Sequence, residues 1–135
     1  MNLADLKGDI VILACAVSAG IHGALVPGHF DEGIGAGLGF VAATVALAGL
    51  VVWLTRRPSS APALAAAALT FAGLLASYAL ATTTGLPVLH PDPEPVDGLA
   101  LVTKGIEAVG LLAALGLLWR PRVAATLPQA KGRLT

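Results

Sequence analysis

The sequence has few charged residues and almost no cysteine. Only 12% of its 135 residues are Asp, Glu, Lys or Arg, and eight basic residues balance eight acidic ones. This balance leaves no overall basic field to hold nucleic acid, so we predict no nucleic-acid partner. Cys15 is the only cysteine, which excludes a disulfide framework, a zinc–thiolate cluster and a CxxC redox pair.

Apolar residues make up 56% of the sequence, and they fall into four long runs. About 20 helical residues cross a hydrocarbon core of about 30 Å, and a single segment in lipid satisfies its backbone polar groups only as a helix. The sequence therefore predicts an all-α integral membrane four-helix bundle that contacts the lipid bilayer, with residues 1–135 forming one transmembrane domain. The predicted spans are 10–26, 34–55, 61–82 and 98–119, followed by a cytoplasmic tail at 120–135.

Proline, glycine or arginine marks the end of each run. These residues are Pro27 and Gly28, Arg56 to Pro58, Gly85 and Pro87, and Arg120 and Pro121. Loops of about five to seven residues after the first two runs fit antiparallel neighbours in an up-down bundle. Gly33, Gly35, Gly37 and Gly39 form two small-xxx-small pairs at the start of the second run, which predicts close helix packing there.

The positive charges indicate which way the spans face, because Lys and Arg near span ends stay on the cytoplasmic side. One side carries Arg56, Arg57, Arg120, Arg122, Lys131 and Arg133, whereas the other carries Asp31, Glu32, Asp92, Glu94 and Asp97. We therefore predict that both termini are cytoplasmic. Trp53 and Trp119 lie near the cationic side, as an aromatic belt would. The Ala-, Gly-, Leu- and Val-rich composition is typical of a GC-rich bacterial genome and predicts the bacterial inner membrane.

Two charged residues, Lys104 and Glu107, interrupt the fourth span. A charge near the bilayer centre costs about 2.5 to 3.5 kcal/mol on insertion scales. Measured from the outer end at Asp97, the rise of a helix puts Lys104 about 10 Å deep and Glu107 about 15 Å deep. Their i, i+3 spacing puts them on one face, where opposite charges offset part of the cost of leaving water. The sequence leaves open whether this is a structural ion pair or a functional polar site.

His22 is the strongly polar residue of the first span, about 7 to 8 Å from its outer end. Ser18 and Cys15 share its helix face by their spacing. Because spans one and four are predicted to be antiparallel, His22 reaches the depth of Lys104 and Ser18 that of Glu107. If these spans touch, His22, Lys104 and Glu107 form one buried network that binds a ligand or holds an ion pair. The alternative for His22 is a hydrogen bond to a neighbouring helix.

All three histidines fall in the outer half of the predicted protein. Neutral imidazole and carboxylate are ligands for divalent zinc, copper, nickel and iron. The candidate metal ligands are His22, His29 and His90, with Asp31 and Glu32 as outer carboxylates. Their spacing matches no cassette such as HExxH, and a solvated acidic exterior is the alternative. Haem is a weaker candidate cofactor, because only His22 lies within a span.

The hydroxyl side chains of the spans form no recognisable catalytic grouping. No Ser/His/Asp arrangement can be assembled from their spacing, so we predict no catalytic residues and an enzyme is the less favoured class. We expect these hydroxyls to form hydrogen bonds between helices. They belong to Ser18, Thr70, Ser77, Tyr78 and Thr103.

Two known classes of four-span membrane protein differ from this chain at decisive residues. Disulfide-exchange membrane enzymes need several cysteines, whereas this chain has one. Small multidrug exporters use an intramembrane carboxylate in the first span, whereas Glu107 lies in the fourth.

The sequence therefore leaves two functions open. The favoured one is an outward-facing polar pocket that binds a metal ion or a small polar solute, in a transporter component or a sensor. The alternative is a non-catalytic small subunit or packing protein, whose Lys104 and Glu107 pair with a partner helix of another protein or another copy. The pocket residues are His22, His29, His90, Lys104 and Glu107.

Overall fold

The computed structural model describes residues 3–86 and 93–119, and four α-helices contain nearly all of them. The helices are α1 (Leu3–Glu32), α2 (Ile34–Arg56), α3 (Ala61–Thr83) and α4 (Gly98–Leu118). Each one is long and apolar enough to cross a membrane. The prediction of an all-α protein with four membrane-span-capable helices is confirmed, as expected for a multi-pass membrane protein.

Polar side chains begin α3 and α4 by binding backbone N–H groups that the first helical turn leaves unpaired. The Ser60 hydroxyl accepts a hydrogen bond from the Ala63 N–H, and the Asp97 carboxylate accepts one from the Ala100 N–H at 2.8 Å. Beyond the end of α3, Gly85 has a φ of 71°, a left-handed conformation that glycine adopts without a steric penalty. These local signals explain why α3 and α4 begin and end close to the limits predicted from the sequence.

The prediction that Pro27 and Gly28 end the first helix is wrong, because α1 continues through both residues to Glu32. A proline inside a helix removes one backbone hydrogen bond, and here the loss falls close to the helix end. The connections are also shorter than predicted. Gly33 alone separates α1 from α2, and residues 57–60 separate α2 from α3.

Each helix packs against two neighbours: α1 and α3 both contact α2 and α4. Along the α1–α4 interface, Ala14 lies against Gly110 and Ser18 contacts Glu107. Residue numbers therefore increase along one helix as they decrease along the other, so the two helices are antiparallel. The first and fourth apolar segments therefore touch, which is the condition on which the predicted network of His22, Lys104 and Glu107 depends.

The interior of the bundle differs between its two ends. The end where α2 finishes and α3 begins, which we call the packed half, has a closely packed apolar core. At the opposite end, the polar half, the interior holds buried Ser18, His22, Thr103 and Glu107. The core of the packed half comprises Val11, Ala14, Cys15, Ala19, Leu47, Leu50, Leu54, Ala63, Leu64, Ala67, Ala68, Phe71, Ala113 and Ala114.

The glycines at the start of α2 make less contact than their spacing predicts. At Gly37, an added Cβ would overlap the Phe30 ring of α1, whereas at Gly33 and Gly39 it would meet no atom within 4 Å. Among these three, close approach is therefore confined to Gly37. The close packing predicted from the two glycine pairs is therefore present at Gly37 and absent at Gly33 and Gly39.

Candidate functional site

The candidate site is built around Glu107, which is fully buried on the side of α4 that faces α1. Its two carboxylate oxygens have different partners. The Ser18 hydroxyl of α1 donates to Oε1 at 2.7 Å, and the Lys104 ammonium, one turn earlier in α4, donates to Oε2 at 2.6 Å. A charged and a neutral donor from two helices thus compensate a carboxylate that the fold has removed from solvent.

His22 lies beside this pair, and its hydrogen bonds define its tautomer. The Nδ1 atom is 2.9 Å from the Ser18 carbonyl oxygen, which can only accept, so Nδ1 carries the proton. In the neutral ring Nε2 then has a lone pair, and it lies 3.9 Å from Oε1 of Glu107. Two acceptor atoms therefore face each other, and a donor placed between them would satisfy both.

His29 repeats this arrangement two turns further along α1. Its Nδ1 atom donates to the Leu25 carbonyl oxygen at 2.9 Å, and its Nε2 atom lies 3.9 Å from a carboxylate oxygen of Glu32. The His29 ring stacks on the Phe40 ring of α2 with centroids 3.5 Å apart, and the His22 ring lies 5.2 Å from the same ring. Phe40 therefore holds both imidazoles, and each has one ring nitrogen that no backbone carbonyl occupies.

Donor groups line the opposite side, on α3 and α4. The Lys104 ammonium lies 5.6 Å from the centroid of the Tyr78 ring, within the range of a cation–π contact. The Tyr78 hydroxyl is buried and has no hydrogen-bond partner among residues 3–86 and 93–119. A buried hydroxyl without a partner costs about 1 to 3 kcal/mol, which makes this group an exception among buried polar groups.

A cavity of about 440 Å³ lies between the four helices in the polar half. His22, His29, Lys104 and Tyr78 all line it, whereas Glu107 lies beneath Lys104 and does not. Acidic residues border the same cavity where the helices end: Glu32, Glu94 and Asp97. Aliphatic side chains complete the lining: Ile21, Leu25, Leu74, Leu86 and Leu99. The cavity thus combines a mainly apolar wall with a few convergent polar groups, as small-molecule sites do.

The structure brings together His22, Lys104 and Glu107, the three residues that the sequence indicated as a buried network. His29, expected in a loop, lies in the last turns of α1 and borders the same cavity. Glu32 also borders it, whereas Asp31 is exposed and does not. His90 lies outside the described residues. Within 3–86 and 93–119, no three His, Cys, Asp or Glu side chains are grouped to hold a metal ion.

The expectation that the hydroxyls bond between helices holds only for Ser18 among the five. Thr70, Ser77 and Thr103 donate to the carbonyl four residues earlier in their own helix, a common alternative for such side chains. Tyr78 lines the cavity without a bond. Phe40 and the cavity-facing position of Tyr78 were not anticipated. The available sequence signal was that Tyr78 is the only tyrosine and lies in an otherwise apolar span.

No model of a known protein family, no curated protein and no solved structure matches this chain. Any function must therefore follow from the geometry of the site.

Proposed function

We propose that the four helices cross the membrane as an up-down bundle with both termini in the cytoplasm, so that the polar half faces outward. The charge distribution supports this orientation. Arg56 and Arg57 lie at the end of the packed half, and Asp31, Glu32 and Asp97 lie at the ends of helices in the polar half. Cytoplasmic retention of Lys and Arg then places the packed half inward. We propose the bacterial inner membrane as the location, on composition.

Cysteine labelling tests this orientation. Cys15 is fully buried, so a Cys15→Ala background carries one new, exposed thiol, either Val96→Cys or Ser59→Cys. A membrane-impermeant maleimide added to intact cells is expected to modify the Val96→Cys protein and not the Ser59→Cys protein, while both react after lysis. Labelling of the Ser59→Cys protein in intact cells would reverse the orientation and close the proposed outward access.

We propose further that the cavity binds a small polar solute, as part of a transporter component or a sensor. The observation that carries this proposal is the coincidence of the cavity with polar groups left unbonded at its wall. A purely structural ion pair explains Ser18, Lys104 and Glu107. It does not explain an open volume of about 440 Å³, nor a buried Tyr78 hydroxyl without a partner in the described chain. A bound polar molecule accounts for the open volume, and one that reaches the Tyr78 hydroxyl would also supply its missing hydrogen-bond partner.

The geometry favours a solute over a metal ion. The Lys104 ammonium lines the cavity, and its positive charge opposes a cation there. Two features still favour a metal ion as a second candidate: His22 and His29 each donate Nδ1–H to a backbone carbonyl and keep Nε2 open, as metal-binding histidines do. Divalent metals therefore belong in the binding test.

The contacts of Lys104 and Glu107 weaken the subunit alternative. That hypothesis requires their charges to pair with a partner helix, but they pair with each other and with Ser18 inside the chain. Neither charge requires another protein for compensation.

A ligand screen by thermal unfolding tests solute binding. Detergent-purified protein is heated with amino acids, carboxylates, amines, polyols or Zn²⁺ and Ni²⁺. Saturation at 100 times Kd stabilises the folded state by about 2.7 kcal/mol, so we expect at least one organic class to raise Tm by several degrees. Ala43 lines the cavity whereas Ala42 is exposed on the same helix. Ala43→Phe should fill the cavity and abolish the shift, and Ala42→Phe should preserve it.

Three outcomes of this screen are informative. A Tm rise that survives in Ala43→Phe would place binding elsewhere, and the absence of any rise with the whole panel would remove the binding function. A rise with the metals alone, lost in a His22→Ala/His29→Ala variant, would replace the solute by a metal ion.

A further inference from the structure

The polar groups of the cavity are divided by hydrogen-bonding type between two opposed walls. On α1, the acceptor wall consists of the Nε2 atoms of His22 and His29, because both Nδ1 atoms are committed as donors. On α3 and α4, Tyr78 and Lys104 line the cavity, and we call their hydroxyl and ammonium groups the donor wall. Only one bond of that ammonium, to Glu107, lies within the described chain, although an ammonium has three hydrogens to donate.

A carboxylate lies beside each Nε2 atom of the acceptor wall and adds negative charge there. Oε1 of Glu107 lies 3.9 Å from Nε2 of His22, and a Glu32 oxygen lies 3.9 Å from Nε2 of His29. Glu32 and His29 both line the cavity, so an N–H donor fits between their acceptor atoms and a negatively charged or purely accepting group does not. Glu107 does not line the cavity and adds its negative charge behind His22. The Phe40 ring beside both imidazoles adds an aromatic surface that favours a cation.

The donor wall favours a ligand group that accepts hydrogen bonds. Tyr78 and Lys104 line the same cavity, and the buried Tyr78 hydroxyl lacks an acceptor in residues 3–86 and 93–119. An oxygen acceptor between them would satisfy the hydroxyl and take a charge-assisted bond from the ammonium. A carboxylate group on the ligand fits this position best.

The overall charge of the site also limits the ligand. Lys104 and Glu107 cancel each other, and the cavity lining adds three carboxylates where the helices end, those of Glu32, Glu94 and Asp97. A purely anionic ligand would meet these carboxylates with like charge, whereas a zwitterion presents an ammonium group to them and a carboxylate to Lys104. The aliphatic lining, which includes Leu25, Leu74 and Leu99, provides a surface for an apolar substituent.

We infer that the ligand is a small zwitterion with an apolar side chain, an α-amino acid in its chemistry, whose ammonium group binds the acceptor wall and whose carboxylate binds the donor wall. This inference rests on the proposed solute-binding function and names the class of solute.

Matched ligands test the two walls separately. Calorimetry on detergent-purified protein compares L-leucine with 3-methylbutylamine, which lacks the carboxylate, and with 4-methylpentanoate, which lacks the ammonium. Glycine and L-phenylalanine, with their own amine and acid counterparts, cover other sizes. One lost hydrogen-bonded charge costs about 1.5 to 3 kcal/mol, so each single-ended analogue should bind about tenfold or more weakly than its zwitterion.

Tyr78→Phe provides the matched variant. The hydroxyl has no partner in the described chain, so its removal should leave Tm in the absence of ligand unchanged or raised. It should weaken the zwitterion and the acid about three- to tenfold and leave the amine unaffected. Lys104 itself is unsuitable for this purpose, because its loss also leaves Glu107 unpaired.

The results separate the two proposals. Equal binding of a zwitterion and its amine, or no effect of Tyr78→Phe on the zwitterion, would overturn the assignment of the two walls. Cavity-dependent binding of polyols or metals without any zwitterion would overturn the ligand class and leave a binding function. No binding of any compound would overturn both.

Discussion

Glu107→Gln is expected to destabilise the protein by about 3 to 5 kcal/mol, the usual result of removing one partner from a buried ion pair. The Lys104 side chain is only 15% exposed, and without the carboxylate its charge stays largely buried and uncompensated. The new amide keeps an acceptor for the Ser18 hydroxyl, so the loss arises mainly from the charge. Chemical unfolding of the detergent-purified protein measures the change in unfolding free energy.

Two controls identify the ion pair as the cause. Glu32→Gln removes a carboxylate that is 47% exposed, so its effect should stay within about 0.5 kcal/mol. The double variant Lys104→Met/Glu107→Leu removes both charges, and it should recover most of the stability lost in Glu107→Gln. A Glu107→Gln protein as stable as the Glu32→Gln protein would contradict a buried pair.

Gly110→Ala is expected to cost about 1 to 3 kcal/mol through overpacking. A Cβ at this position would lie 2.7 Å from the Phe71 ring of α3 and 2.8 Å from the Cβ of Ala14 in α1. Phe71 is completely buried, so its ring has no room to move away, and the three helices would have to separate. The Tm in detergent should fall accordingly.

The same substitution at two other glycines provides matched controls. Gly105 lies on the same helix with nothing within 4 Å of an added Cβ, so Gly105→Ala should leave Tm unchanged or raise it. At Gly37 the added Cβ would meet Phe30, but that ring is 41% exposed and can turn outward, so Gly37→Ala should cost less than Gly110→Ala. Equal stability of the Gly110→Ala and Gly105→Ala proteins would show that α4 does not pack tightly against Phe71 and Ala14 at Gly110.

Much of the helix architecture could be predicted from the sequence, because charge and proline coincide with the ends of α2 and α4. The exception is α1, which continues through Pro27. A proline reliably ends a helix only where the lost hydrogen bond and the ring clash outweigh continued packing, and tertiary contacts decide this. In α1, the contact between Phe30 and Gly37 beyond the proline is one such contact.

The candidate site, too, could be predicted from the sequence only in part. The local spacings of Ser18 with His22 and of Lys104 with Glu107 predict pairs on one helix face, and the structure has both pairs in contact. The positions of Phe40 and Tyr78 depend on how α2 and α3 rotate about their axes. In lipid, an apolar helix has no solvent-facing side to fix that rotation from its sequence pattern, so the cavity could not be predicted.

The junction at Gly33 limits how far α1 and α2 can separate at their connected ends. Only one residue connects α1 to α2, so the end of α1 and the start of α2 stay close together in the polar half. The stacked His29 and Phe40 rings, with centroids 3.5 Å apart, lie close to this connection. If the proposed zwitterion binds, we therefore expect the cavity entrance to widen through α3 and α4, which carry Tyr78 and Lys104, so that the side proposed to bind the carboxylate adjusts more than the side proposed to bind the ammonium.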